Sequence, residues 1–437
     1  MSTKPTFNEA LRFWLKLGFI SFGGPGGQIA ILHEFLVEKK KWISESKFLH
    51  ALNYCMLLPG PEAQQLATYM GWMLHGTKGG IAAGLLFILP SVFILFGLST
   101  IYIHYGNLPF VFAMFDGLKP AVIAIILLAL IKMSKKSLKS PLHYFIAIAA
   151  FVCIYFFQLP FPMIILGAIV LALIVRKGMP GLSMNAVNSN SPAENNESAY
   201  YINRHTLLPD TGFRPATFGK KIFFFLALWC LPLFTFYLFS SDFPFWKQLS
   251  LFFTQAAFVT FGGAYAVLPY VAQVSVEKFH WLSGLQMLDG LALGETTPGP
   301  LIMVLAFVGF MAGYNQFGSS ILMGGIGLVT TTWYTFLPSF LFIFLGAPLI
   351  ERTSENKSIK AMLEIVTAAV VGVILNLTIY LAKAVLLTAT SDSFSINFPS
   401  LLWVLISFIA LYRYSINLIT WIGISALFGL IVFGFAG

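Results

Sequence analysis

The sequence predicts an all-α polytopic membrane protein: two inverted-topology repeats with broken or re-entrant helices, in about ten to thirteen membrane helical segments. Three observations predict it. Hydrophobic residues make up 58% of the 437 and charged residues only 10%, where soluble domains average about 25% charged, and the mean hydropathy is +0.82. Long apolar runs are interrupted by glycine and proline. The interruptions recur at a fixed spacing. Too few polar groups exist to cover a globule of this size, which excludes disordered, fibrous and disulfide-stapled classes and an ordinary cytosolic enzyme.

The chain begins with Lys4, Glu9, Arg12 and Lys16 and shows no clean apolar core before a small-residue cleavage site, so no removable signal peptide is expected. An apolar helix starting near Asn8 and running to about Val37 is broken at Ser21-Phe22-Gly23-Gly24-Pro25-Gly26-Gly27-Gln28, and a second break falls at Leu58-Pro59-Gly60-Pro61-Glu62-Ala63-Gln64-Gln65. Full spans are expected at Ile81–Ile103, Phe110–Ile131 and Ile222–Phe239, then at Ile321–Leu345, Leu363–Leu381, Pro399–Leu411 and Ile416–Phe435. Leu142–Phe157 and Phe161–Val175 are short for a crossing and read as a helical hairpin with both ends on one side. The one long polar stretch, Gly178 to Thr217, is rich in Asn, Ser and Pro and reads as a mobile linker. Cys55, Cys153 and Cys230 are isolated in apolar segments and show no redox or zinc spacing, so no metal or cofactor is expected.

An internal repeat orders these elements. Phe22-Gly23-Gly24 recurs as Phe261-Gly262-Gly263, Trp42 as Trp281 and Pro59-Gly60-Pro61 as Pro298-Gly299-Pro300, each 239 residues on. Leu89-Pro90-Ser91 recurs as Leu337-Pro338-Ser339 and Asp116 as Glu364, now 248 residues on. The expected organisation is an N-terminal transporter repeat over 1–140 and a hairpin, polar linker and crossing helix over 141–246. A C-terminal inverted repeat over 247–387 and a helix pair over 388–437 follow.

Charge placement gives the relative orientation, because Lys and Arg accumulate in cytoplasmic loops. Lys39, Lys40, Lys41 and Lys47 have only Lys278 in the matching loop, and Lys132, Lys135, Lys136 and Lys139 have only Lys383. Conversely Arg352, Lys357 and Lys360 face a counterpart, 103–112, without Lys or Arg. All three contrasts have the sign expected of copies lying upside down to each other. The net charge of +9 therefore reflects topology rather than nucleic-acid binding.

Pro25 and its neighbouring glycines cannot continue a helix cheaply. In a bilayer, the freed backbone groups must be buried in protein or face a watery cavity. The half-helix restarting after each break offers unpaired N–H groups at a positive dipole end, which suits an anion. Pro61 fits the first turn, where its missing N–H costs nothing. The candidate substrate-binding residues are Phe22, Gly23, Gly24, Pro25, Gly26, Gly27, Gln28, Pro59, Gly60, Pro61, Glu62 and Gln64 in the first copy. In the second they are Gly262, Gly263, Ala264, Thr296, Thr297, Pro298, Gly299 and Pro300. Gln65 would add a further neutral donor. Lys-rich loops on both flanks favour re-entrant hairpins over complete crossings, with up to four half-helix ends converging near the midplane. The alternative is that the breaks are kinks for close helix packing.

Carboxylates inside membranes are costly, which singles out Glu62 and Glu295 as proton-coupling candidates. Each occurs in one copy only, opposite Leu301 and Met56. Glu62 has a second reading, since an acid in a first helical turn complements the dipole. Asp116, Asp289, Lys119 and Lys383 lie near helix ends, where interfacial snorkelling is expected. His33 and Glu34 are expected at the cytoplasmic end of their half-helix, His75 and His104 in loops or at the interface, and Arg12 and Lys16 among lipid headgroups. No Walker-type phosphate loop, His-Glu-x-x-His or Gly-x-Ser-x-Gly occurs, so neither an enzyme nor an ATP-driven pump is expected.

FGGPGGQIA (22–30), LHALNYCMLLPGPEAQQLATYMG (49–71), FGGAYAVLPYV (261–271) and the stretch Leu285–Phe310 with DGLALGETTPGP (289–300) resemble the chromate ion transporter family in its long, two-domain form. The resemblance covers both repeats. It implies a multi-pass protein of the bacterial plasma membrane that exports chromate, confers resistance to it, and is energised by the electrochemical gradient. The partners so implied are chromate or a similar oxyanion and the bilayer, with homo-oligomerisation left open. Sulfate or another oxyanion, and an anion channel in place of a transporter, remain as alternatives.

Overall fold

The computed structural model describes residues 4–22, 24–106, 108–178, 199–203, 206, 215–350, 357–390 and 393–432. Most of the expected polar linker, and Gly23 of the first break, lie outside the described residues.

The first repeat opens with α1 (Phe7–Ile20), whose Thr6 hydroxyl caps the Glu9 N–H at 3.2 Å. After the break, α2 (Gly24–His33) runs on as a π turn over Glu34–Lys39. Phe35 stacks on Phe13 with ring centroids 3.7 Å apart, and Lys40 Nζ lies 2.7 Å from Glu9 Oε1. The chain thus returns to the end it entered from, so this is a re-entrant hairpin. A second one follows from α3 (Glu45–Cys55) and the first arm of α4 (Glu62–Tyr105). α4 doubles back at His75 and Gly76, where Gly76 takes φ +63°. Gly71 lies directly against the Gly79 backbone and Ala83, and Gly84 against the Thr68 hydroxyl, contacts a continuous helix cannot make. His75 Nε2 sits 3.0 Å from the Pro5 carbonyl, which brings the second mouth beside the first. The second arm, 77–105, then crosses, and α5 (Pro109–Ser137) returns.

α6 (Pro141–Tyr155) and α7 (Phe161–Gly178) form the expected helical hairpin, and both pack on α14, described below. α8 (Pro215–Phe239) is the crossing helix; Trp229 Nε1 donates to Thr254 Oγ1 at 2.9 Å, while Phe223, Tyr237 and Phe239 face outward as a lipid-facing helix requires. The second repeat comprises α9 (Phe243–Val259), α10 (Ala264–Gln273) with a π turn at Val274–Lys278, α11 (Gly284–Thr296), α12 (Val304–Gln316), α13 (Ile321–Ile350) and α14 (Lys357–Leu386). It is also a pair of re-entrant hairpins before two long helices. Phe252 meets Phe279 edge-on, and Asn315 Nδ2 donates to the Trp281 carbonyl at 2.7 Å.

The local chemistry repeats with the sequence. Lys41 and His280 both take left-handed φ, +52° and +51°, after the two π turns, and Ser44 and Ser283 both cap the next helix. The copies are nevertheless inverted. α13 lies antiparallel along the second arm of α4, with Phe344 against Gly80, Phe340 against Gly84 and Phe96 against Gly325. The second repeat's mouths therefore lie at the Phe96–Tyr105 end, and the first repeat's at the His75 end. Between these ends, the Ser91 hydroxyl donates to the Pro298 carbonyl.

A short hairpin, β1 (Leu387–Thr390) and β2 (Ser393–Ile396), pairs Leu387 with Ile396; the hydropathy pattern of the sequence did not show it. α15 (Phe398–Arg413) and α16 (Leu418–Val432) close the fold on α5, where Gly117 and Gly429 let two backbones touch.

Candidate functional site

All four predicted breaks are present, and tertiary packing arranges them in two reciprocal pairs. The Gly60 N–H donates to the Thr260 carbonyl at 2.7 Å, and the Gly299 N–H donates to the Ser21 carbonyl at 2.7 Å. Adding 239 turns Ser21 into Thr260 and Gly60 into Gly299, so the two bonds are one contact seen from both repeats. Each repeat's second break is pinned by the first break of the other. Gly60 and Gly299 take φ +125° and +99°, a region that L side chains rarely enter. Ser91 covers Gly299, and the Ser339 hydroxyl occupies the equivalent place over Gly60.

Buried amides brace these turns. Gln28 Nε2 donates to the Gly299 carbonyl at 2.6 Å and to the Ser21 carbonyl at 3.4 Å. Gln65 Nε2 donates to the Pro59 carbonyl at 2.8 Å. Gln64 Nε2 donates to Thr68 Oγ1 at 3.1 Å, while its buried Oε1 has no hydrogen-bond partner. Thr296 and Thr297 turn their hydroxyls back onto the Leu293 carbonyl at 2.8 and 2.7 Å. Pro61 is the N-cap of α4 and Pro300 that of the 3₁₀ turn Leu301–Met303, where α12 begins.

The two first-break helices differ. At α2, Gly24 takes φ +74°, and positions 24 and 26 have open space where a Cβ would stand; Phe22, Pro25 and Gly27 are half-buried. Gly26 borders an open groove of about 580 Å³, lined also by Ile29, Ala30, His33, Glu34, Glu38 and Phe48, with the two acids beyond the first turn. At α10, Gly262 and Gly263 take φ +83° and +98°, and Ala264 is buried. Here the space is occupied by acids. Glu62 Oε1 lies 4.0 Å from where a Gly263 Cβ would be, and Tyr265 OH donates to Glu295 Oε1 at 2.7 Å. Tyr265 belongs to the α10 end and Glu295 to the helix leading into the Pro298–Pro300 break, so this bond links the two pairs. Both predicted carboxylates thus gather at α10, and α2 keeps a carboxylate-free first turn.

The other ionisable residues are partly as expected. Arg12 and Lys16 are exposed, His33 sits 2.5 Å from Glu45 at the mouth of its hairpin, and Lys383 is exposed with Nζ 2.9 Å from Tyr155 OH. Lys119 and Asp289 depart from the expectation: they are 4% and 5% exposed and do not snorkel. They pair with each other across α5 and α11, which a linear sequence cannot display. Tyr265 and the serines at 91 and 339 also went unassigned as site residues. The serines carried a signal, since Leu-Pro-Ser repeats in both copies. Among the described residues, no group of three or more His, Cys, Asp or Glu side chains is placed to hold a metal.

Inverted re-entrant hairpins meeting inside a helical membrane body define the class: a multi-pass membrane protein with an inverted-repeat transporter architecture. The family model described as chromate transporter matches residues 9–173 and 247–430, and the chain belongs to the chromate transporter family. A chromate transport protein of Pseudomonas aeruginosa is 32% identical over 379 residues, covering 85% of this chain and 80% of that one. Another, from Cupriavidus metallidurans, is 28% identical over 384 residues, 87% and 84% of the two chains. An uncharacterized transporter of Methanocaldococcus jannaschii is 27% identical over 401 residues, 92% and 88%. No solved structure matches significantly.

Proposed function

We propose that the protein is a secondary transporter that exports chromate from the bacterial cytoplasm across the inner membrane, not an enzyme, and that it holds the oxyanion at half-helix N-termini. The observation that carries the proposal is the open first turn of α2, with its partner break pinned opposite by the Ser21–Gly299 hydrogen bond at 2.7 Å. First-turn N–H groups lack intrahelical partners and point out of the helix at its positive end. Glycine lets a tetrahedral oxyanion approach that backbone. The four breaks act as two pairs, one site favouring the anion and the other, at α10, holding the carboxylates. Family membership and the relatives named chromate transport protein support the choice of substrate.

Orientation follows from charge. Lys39, Lys40 and Lys41 lie at the His75 end with the C-terminus of α5 and its Lys132, Lys135 and Lys136, which the positive-inside rule makes cytoplasmic. Energetics then favours export. One charge moved through 100 mV is worth about 2.3 kcal/mol, so a dianion leaving a negative interior gains about 4.6 kcal/mol. At about 1.36 kcal/mol per decade, that sustains an outward gradient of more than about a thousandfold.

Purified protein in liposomes should move chromate in response to an imposed potential, saturably and without single-channel currents. Folded protein that gives no flux under any imposed potential or proton gradient overturns the reading, and unitary currents replace it with a channel. Sulfate as competitor measures selectivity. Glu62→Gln and Glu295→Gln should each change the pH dependence of flux, because a carboxylate that ionises along the anion's path repels the dianion and a protonated one does not, which couples proton and anion movement. The same profile as wild type in both variants removes them from the cycle.

A further inference from the structure

One group of charges lies inside the helical body away from Glu62 and Glu295. Lys119 Nζ is 2.6 Å from Asp116 Oδ1 on the same helix, and 3.7 Å from Asp289 Oδ1 on α11. Tyr102 OH, from the second arm of α4, donates to Asp289 Oδ2 at 2.8 Å. Phe112 lies under the ammonium at 5.2 Å. Asp289 Oδ1 is buried and has no hydrogen-bond partner. One cation thus serves two carboxylates, and the second carboxylate has a bare oxygen.

An uncompensated charge inside an apolar helical body is unfavourable, because no water is there to solvate it. A proton removes the imbalance. Asp116 already takes the short hydrogen bond from Lys119, and its side chain is 25% exposed. The bare oxygen of Asp289 is where a proton has room and need. Other groups do not supply the charge. α11 packs on α4, α5, α12, α14 and α16. From these, Tyr102, Asp116 and Lys119 face Asp289; α14 brings Tyr380, which lies near Gly284 at the start of α11. α12 carries only Tyr314 near its far end, and α16 has no titratable side chain within Leu418–Val432.

The repeat does not reproduce the group. Carried across the repeat, Asp116 becomes Glu364, Lys119 becomes Thr367, Tyr102 becomes Ile350 and Asp289 becomes His50. The group ties α4 and α5 of the first repeat to α11 of the second, and α11 leads directly into the Thr297–Pro300 turn. The geometry points to Asp289 as a proton-binding site whose loading releases α11 from Lys119 and so couples protons to movement of the second repeat's break. With Asp289 ionised, Lys119 bridges the repeats. With Asp289 protonated, Lys119 is held by Asp116 alone and Tyr102 is the remaining tie. This site goes beyond the carboxylates at α10 and does not depend on which anion is carried.

The experiment uses the full chain in lipid nanodiscs and the isosteric Asp289→Asn variant, which keeps an acceptor for Tyr102. Infrared difference spectra between acid and alkaline buffer should show a protonated-carboxyl C=O stretch in wild type that is missing from the variant. The pH dependence of anion flux should flatten in Asp289→Asn, and a charge-balanced Lys119→Met/Asp289→Asn pair should fold and show the same flat profile. A band unchanged in Asp289→Asn places the proton elsewhere and overturns the proposal. So does loss of the band with the wild-type pH profile retained, since Asp289 would then take up a proton without coupling it to flux. The spectrum needs no substrate, so it stands even if chromate is not the cargo.

Discussion

Chromate flux in a Gly26→Val variant should fall at least about tenfold with no loss of folded protein, because the change alters what the α2 first turn can touch rather than how it packs. Position 26 lies inside α2 and is not among the glycines with positive φ. No atom stands within 4 Å of where its Cβ would be, and valine is a better helix former than glycine. Backbone strain and a collision at Cβ are therefore removed as causes of a loss, and unfolding of the same preparation reports on the two γ-methyl groups. The second repeat supplies a natural comparison: its residue at the matching position is Tyr265, which fills the space and reaches Glu295. Filling position 26 should make the first repeat resemble the second and close the anion's approach. Flux in liposomes, set against monodispersity and thermal unfolding of the same preparation, decides the matter. Wild-type flux through the valine variant would return α2 to a packing role.

Gly60→Val and Gly299→Val should both abolish transport while leaving membrane insertion intact, and both should lower the unfolding temperature by similar amounts. The two glycines hold equivalent places. Each takes a left-handed φ, each donates its N–H to the opposite repeat at 2.7 Å, and each lies under a serine hydroxyl, Ser339 or Ser91. A side chain there adds backbone strain of about 1–3 kcal/mol to a collision with that serine. Insertion depends on the apolar spans, which the substitutions leave alone. Protease accessibility of inserted protein and thermal unfolding in detergent give the two readouts. A large effect at one glycine with none at the other would show that the breaks are not a symmetric pair.

Much of this was legible beforehand because the bilayer imposes simple rules. The seven expected spans match α5, α8, α13 to α16 and the second arm of α4, and the expected hairpin matches α6 and α7. Breaks fall where proline and positive-φ glycine forbid regular helix. The charge contrasts gave the inversion that the antiparallel packing of α13 on α4 displays. The doubling back of α4 was harder to see. His75 is expected in a loop or at the interface and a span is expected from Ile81, but a two-residue turn with only Thr77 and Lys78 exposed beside it does not say that the chain folds straight back on itself. The partners across the breaks were invisible for another reason: Ser21 meets Gly299 at a separation no local pattern encodes.

By itself, then, the sequence determined that the chain lives in a membrane, that it is a duplicated unit with its copies opposed, and where its helices must break. Those are consequences of hydropathy, proline geometry and loop charge, each readable along the chain. Only the tertiary structure decided which break faces which, that carboxylates cluster at α10 while α2 stays open, and that Lys119 and Asp289 are buried together. Such pairings are set by close packing between distant segments, where a backbone N–H or a charge withdrawn from water takes the partner that the fold brings within reach.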